Sequence, residues 1–186
     1  MTLNHVIPDA LPAAERLAYR LNVYDAFTIA LINLRGERQS IRNINKRFGV
    51  TLKSSWAERA VRAGGRVLSV DDVEHGIVRP QFKDPRVHMA LVCAAKGCPP
   101  LRSGAYVADQ IDAQLDDQAR RFLAQESRNF VNVHTAVVHG SPIFTWYKAD
   151  FGSDYAAVGA FWARYVPDKR ASSGQYAIRR LTDEKS

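Results

Sequence analysis

Cysteine is scarce in this chain of 186 residues: there are two, Cys93 and Cys98, five positions apart. Two cysteines cannot build the disulfide framework that holds small secreted domains together. A bridge between them requires Ala94-Ala95-Lys96-Gly97 to fold back as a turn, because extended chain would hold the Cα atoms beyond bonding range. Gly97 permits that turn, and a strand running into Cys93 argues against it. Long apolar runs are also missing. The most apolar stretch, Val23 to Leu34, carries Asp25 and is shorter than the roughly 20 residues a bilayer core demands, so no integral membrane segment is expected. The start of the chain holds Pro8, Asp9, Pro12 and Glu15 where a signal peptide would place a positive charge and an apolar block. The expected location is therefore cytoplasmic, or exported if a signal peptide precedes the chain. No Gly-rich phosphate loop, strand-linked Gly-x-Gly-x-x-Gly or Gly-x-Ser-x-Gly elbow is present, and no cofactor is expected.

What the chain does have is enough apolar residue for a core. With 46% apolar and 24% charged residues it reads as one domain over residues 1–186, with a polar, loose tail at 168–186. The net charge of +7 is concentrated: residues 35–66 carry nine basic residues (Arg35, Arg38, Arg42, Lys46, Arg47, Lys53, Arg59, Arg62 and Arg66) against two acidic ones. Such a stretch is either a solvated face or a docking surface for an acidic protein, a membrane surface or nucleic acid. No nucleic-acid motif accompanies it.

Leu17, Leu21, Tyr24, Thr28 and Leu31 recur at helical spacing and predict a helix from Ala13 to about Ile32. Asn22 and Asp25 share a face of it. Gly64-Gly65 predicts a tight hairpin. Ser69, with an acidic residue three positions on, predicts a capped helix entry running to about Arg79 before Pro80, with Val70, Val73, Ile77 and Val78 buried. On that helix Asp72, His75 and Arg79 form one polar stripe. Val87 to Ala94 reads as a buried strand after the Asp84-Pro85 turn, with His88 and Cys93 on opposite faces. Further expected elements are a long helix from Val107 to about Gln125, a strand from Val131 to Val138, a helix from Ser141 to Phe151, and a last helix over Tyr155 to Tyr165. The expected fold class is α+β: a small mixed or antiparallel sheet, built from the hairpin and the two strands, packed against four to five helices.

Cys98, in a loop after a buried strand, is the strongest candidate nucleophile, with His75 as its base, Asp72 orienting the imidazole and Asn22 completing a cleft. The bland alternative is a small residue in a tight turn. Arg79, Arg102 and His88 are the candidate binding residues, Arg79 for an anionic group on a small-molecule or peptide substrate. His75, His88, Cys93 and Cys98 could each ligate zinc. Their spacing matches no zinc module, so no metal is expected. The function classes left open are a thiol-dependent hydrolase or transferase, a non-catalytic interaction module with an acidic partner, and a thiol redox protein using both cysteines.

The segments Leu68 to Arg79, Asp84 to Cys93 and Cys98-Pro99-Pro100-Leu101-Arg102, with Ser141 to Tyr147 and Asp150-Phe151-Gly152, resemble the domain-of-unknown-function family 547 over about residues 18–165. The resemblance implies the family fold and brings no activity with it. The usual Trp-Ile-Asn-x-Tyr-Asn segment is here Arg20-Leu21-Asn22-Val23-Tyr24-Asp25, so Arg20 stands for Trp and Asp25 for the second Asn. The helical lead-in is shorter, and the closing Asp-Trp-Ser-like segment has no counterpart.

Overall fold

A computed structural model describes residues 5–37, 41, 44, 46–47, 50–51, 54–59, 61–95, 97–132, 134, 137–152, 154–166 and 177–180. The fold class is α+β. The chain forms two compact units: Met1–Lys83, Leu91–Ala95 and Leu101–Asp112 make the first, and Asp84–Ala90, Lys96–Pro100 and Ala113–Ser186 the second.

The first unit is organised on helix α1, Ala13–Arg35, which ends at Gly36 in the left-handed conformation. Its predicted stripe is buried: Leu17, Leu21, Tyr24, Thr28 and Leu31 all face inward. Two antiparallel pairs follow, β1 (Lys46–Arg47) with β2 (Val50–Thr51) and β3 (Val61–Ala63) with β4 (Arg66–Leu68). Gly64 and Gly65 join β3 to β4 with φ of 59° and 71°, a backbone that two adjacent L-residues would strain. Ser69 then caps α2 (Val70–Val73) through a capping box. The Asp72 amide donates to Ser69 Oγ at 3.0 Å and the Ser69 amide donates to Asp72 Oδ2 at 2.9 Å.

The helix does not stop before Pro80. It passes through a π-helical segment, Glu74–Val78, into α3, Arg79–Phe82, where Pro80 sits in the first turn and needs no N–H partner. Val70, Val73, Ile77 and Val78 are buried as the sequence requires. Removing the cap hydroxyl with Ser69→Ala is expected to cost about 1 kcal/mol. An unchanged urea midpoint in that variant would show the box to be energetically idle.

In the second unit the expected Val87–Ala94 strand is a helix, α4 (Val87–Ala90), followed by irregular chain. The reason lies in the turn before it. Asp84 Oδ1 accepts the Arg86 amide at 2.9 Å, and the amides of Val87, His88 and Met89 return to the carbonyls of Asp84, Pro85 and Arg86. The chain therefore enters the apolar run already coiled, and a short buried run has no periodicity that separates helix from strand.

α5, Ile111–Leu123, follows a 3₁₀ turn at Ala108–Gln110. The expected Val131–Val138 strand is two strands, β5 (Phe130–Asn132) and β6 (Val137–Gly140), paired antiparallel. Asn132 Oδ1 accepts the His134 amide at 3.1 Å and turns the chain between them. β7, Ala177–Arg180, pairs parallel with β6, so the tail expected to be loose supplies a strand. The strand pairs thus make three separate sheets among the described residues, in place of one sheet with a Val87 strand.

The Ser141–Phe151 helix is divided into α6 (Ile143–Trp146) and α7 (Lys148–Phe151) at Tyr147, and α8 spans Tyr155–Tyr165 as expected. Their aromatic side chains meet on Phe144, whose ring lies 5.2 Å from Phe151 and 5.4 Å from Trp162, centroid to centroid.

Candidate functional site

Neither cysteine is free. Cys93 and Cys98 are both disulfide-bonded, and they are the two cysteines of the chain. This corrects the expectation of a free Cys98 thiol after a strand. With Val87–Ala90 helical, no extended run carries Cys93 away from Cys98. The reversal is made at Ala94, which sits in the left-handed region with φ of 56°, strain of the kind that persists only where neighbours hold it. Two contacts in the first unit fix the backbone just before it. Asp25 Oδ1 accepts the Val92 amide at 3.0 Å, and Trp56 Nε1 donates to the Cys93 carbonyl at 3.1 Å. Cys93 is half-buried and Cys98 is 2% exposed. In the second unit Ser141 Oγ donates to the Gly97 carbonyl at 2.6 Å, which anchors the residue before Cys98.

Asp25 is 7% exposed. Burial pushes its carboxyl up to about 7, with the Val92 N–H pulling the other way. Asn22, three residues earlier on α1, fixes a second loop: its side-chain amide donates to the Tyr106 carbonyl and its oxygen accepts the Tyr106 amide, both at 2.8 Å. The shared face of Asn22 and Asp25 therefore ties down two loops of the first unit.

The polar stripe after Ser69 is wired differently from the sequence reading. Asp72 is held in the capping box, which lowers its carboxyl, and lies 3.8 Å from Arg59. It is Asp71 that His75 influences. Burial raises the Asp71 carboxyl and His75 partly offsets this. Arg79 Nη1 contacts His75 Nδ1 at 2.7 Å. A guanidinium only donates, so Nδ1 accepts and Nε2 carries the ring proton. Glu74 is buried and accepts from Tyr24 Oη at 3.0 Å. The π-helical segment carries both Glu74 and His75, and such bulges recur at functional sites.

His88 is 1% exposed, and its Nε2 donates to Asp150 Oδ2 at 2.7 Å. Its ring stacks on Tyr147 at 3.9 Å and lies 5.9 Å from Phe151. An imidazole oriented by a carboxylate is the base half of many nucleophilic sites. The sequence offered His88 for binding and passed over Asp150, 62 positions away, although both stood in the segments that carried the family resemblance.

Asn22, Asp72, His75, Arg79 and the half-buried Arg102 all belong to the first unit, and Cys98, His88 and Asp150 to the second. Among the described residues no three His, Cys, Asp or Glu side chains gather where a metal could be held, and no helix is long and apolar enough to cross a membrane. Of the basic segment, Arg35 pairs with Glu58 and Arg59 with Asp72, while Arg62 and Arg66 are exposed. Arg38, Arg42 and Lys53, and the side chains of Lys46 and Arg47, lie outside the described residues.

No curated protein and no solved structure matches the chain. A family model does match, over residues 8–123, and its description is "Protein of unknown function, DUF547". The match takes in α1, the capped and π-helical segment, both cysteines and Arg102; Ser141–Tyr147 and Asp150–Gly152 lie beyond it. By that match, which spans more than half of its length, the chain belongs to the DUF547 family.

Proposed function

We propose that this domain carries out thiol–disulfide exchange through Cys93 and Cys98, with small or protein-borne thiols and disulfides as its substrates. The observation that carries the reading is the disulfide state of both cysteines across a four-residue loop. The chemistry needs no group the chain lacks. An external thiolate attacks Cys93 Sγ, forms a mixed disulfide there and expels Cys98 as a thiolate. A second thiolate attacks the external sulfur of that mixed disulfide and expels Cys93. The substrate pair leaves as its own disulfide, and the protein keeps both electrons as two thiols, each taking a proton from water. Half-buried Cys93 is the sulfur an incoming thiol can reach, and Cys98 is the shielded partner.

Loop length supports cycling. A bridge closing so short a loop stabilises the fold by only about 2 kcal/mol in the chain-entropy account, against about 4.7 for a loop of 100 residues. The fold can therefore survive reduction. Equilibration of the full chain with glutathione buffers, read by mass spectrometry after acid trapping, tests the proposal. Exchange-active pairs fall between roughly −120 and −270 mV, and structural bridges below about −300 mV. A midpoint in the first range is expected; one below the second makes the bridge a structural staple.

A hydrolase or transferase built on Cys98 needs the same reduced state. The His88–Asp150 pair favours it as the second reading, because base, orienting carboxylate and Cys98 belong to one unit. His75 with Asp72 and Asn22 supports it less, since these are engaged by Arg79, Ser69 and Tyr106. Ester or peptide turnover that requires reductant and is lost in His88→Asn would move the assignment there. The acidic-partner reading has the least support, with Arg35 and Arg59 already paired inside the unit.

A further inference from the structure

The exchange scheme uses two sulfurs and leaves one buried acid without a role. Asp25 reaches from α1 to the Val92 amide, at 3.0 Å, and so holds the peptide unit that leads into Cys93. Trp56 holds the far side of the same residue through its carbonyl at 3.1 Å. Cys93 is thus clamped on both sides, with the strained Ala94 immediately after it, and one jaw of the clamp is ionisable.

We infer that Asp25 is a positioning residue that makes the reactivity of Cys93 depend on pH: ionised, its carboxylate disfavours the Cys93 thiolate, and neutral, it does not. The inference rests on the exchange reading above and adds to it the group that regulates it. A negative charge one residue from a thiol, shielded from water, raises the energy of a thiolate there. The same charge strengthens the hydrogen bond to the Val92 amide and stiffens the frame around the sulfur. Both effects slow Cys93 as attacking and as leaving group once Asp25 carries its charge.

The position of the Asp25 ionisation, pushed up to about 7 by burial, places the change inside the physiological range. Other groups lie close enough to be considered. The elements packed against α1 are the turns at Pro8–Ala10 and Ala108–Gln110, β3, α2 and the π-helical segment. They carry Asp9, Asp109, Arg62, Asp71, Asp72, Glu74 and His75. Asp9 lies 3.3 Å from Arg20, Asp72 sits in its cap, and Tyr24 and Arg79 engage Glu74 and His75. None of them shifts the Asp25 carboxyl, which answers to burial and to the Val92 amide. The pH response of Cys93 should therefore follow one ionisation besides that of its own thiol.

The test is alkylation of the reduced full chain with iodoacetamide from pH 5 to 10, resolved at Cys93 by mass spectrometry, in the wild type and in Asp25→Asn. Asparagine keeps an oxygen for the Val92 amide and cannot ionise. The expected result is equal Cys93 rates at acid pH, a rate up to about tenfold higher in Asp25→Asn between about pH 7.5 and 8.5, the effect of one pKa unit, and convergence again toward pH 10 as both thiols become fully ionised. The wild-type profile should itself show two steps, the lower near 7. Trp56→Phe opens the other jaw without touching charge and should keep both steps. Superimposable wild-type and Asp25→Asn profiles overturn the inference. The glutathione midpoint measured on the same samples separates the two ideas. A bridge that resists glutathione while the Cys93 profiles differ sinks the exchange reading alone, and a reducible bridge with identical profiles sinks the role of Asp25 alone.

Discussion

Phe144→Ala should remove about 3–5 kcal/mol of stability, the cost of truncating a fully buried aromatic side chain. Phe144 has no exposed surface and is the ring on which Phe122, Phe151, Phe161 and Trp162 converge. Relaxation cannot easily fill the space left behind. Gly140 already brings β6 close, since a methyl there would come within 3.1 Å of Phe144 and 3.2 Å of Trp162, and rings that interlock from several sides do not slide into a void together. The loss should reach the chemistry as well. Phe144 lies on α6, whose end carries Tyr147 against His88, and Asp150 follows on α7. A loosened α6–α7 pair would blur the His88–Asp150 contact. Urea unfolding followed by tryptophan fluorescence measures the first effect, and the imidazole proton resonance of His88 the second. A stability loss under about 1 kcal/mol would mean that the ring cluster repacks, contrary to the argument.

The aromatic cluster shows which parts of this fold the sequence makes legible. Tyr155 to Tyr165 and Ala13 to Arg35 are long enough for helical spacing to repeat, and both are helices close to the expected bounds. The Gly64-Gly65 hairpin and the Ser69 cap are local devices whose chemistry is complete within four residues, and both are present. The failures are short and buried. Val87–Ala90 is one helical turn, and an apolar run of that length fits a strand equally well. The division at Tyr147 and the hairpin around His134 likewise depend on contacts that no window of sequence contains.

The candidate site divides in the same way. Its residue types were visible, and Cys98, His75, Asn22 and His88 were singled out by chemistry alone. Their partners were not, because partnership is a tertiary property. His88 meets Asp150 from 62 positions away and Asn22 meets Tyr106 from 84. The disulfide turns on a left-handed alanine, a conformation that propensity assigns to Gly97 before Ala94. Asp72 stands at the third position of α2, where the Ser69 capping box claims its carboxylate, and His75 meets Arg79 one turn on, so the expected Asp72–His75 pair is replaced by a cap and a separate Arg79–His75 contact.

Asp25→Asn should stabilise the protein by up to about 4 kcal/mol at pH 8 and by almost nothing at pH 4, an effect with an unusual sign for the removal of a charge. The ordinary carboxyl value is 3.8, and in the fold burial pushes Asp25 up to about 7. Below about pH 4 the group is protonated folded and unfolded, and it contributes nothing to the difference. Between the two values the folded state holds the proton more tightly, so stability falls as pH rises, by about 1.4 kcal/mol per unit. Above pH 7 the full penalty of a buried carboxylate is present. Asparagine carries no such penalty and still accepts the Val92 amide. The difference between the two proteins isolates Asp25 from Asp72 and Asp116, whose lowered carboxyls act in the opposite direction in both. Chemical denaturation of both proteins from pH 4 to 9 gives the difference directly. A gap that opens between pH 4 and 7 and then stays level identifies Asp25 as the group that titrates. If the gap is flat across the range, the Asp25 carboxyl ionises near its ordinary value in the fold, as in the unfolded chain, and the pH control of Cys93 near neutrality loses its source.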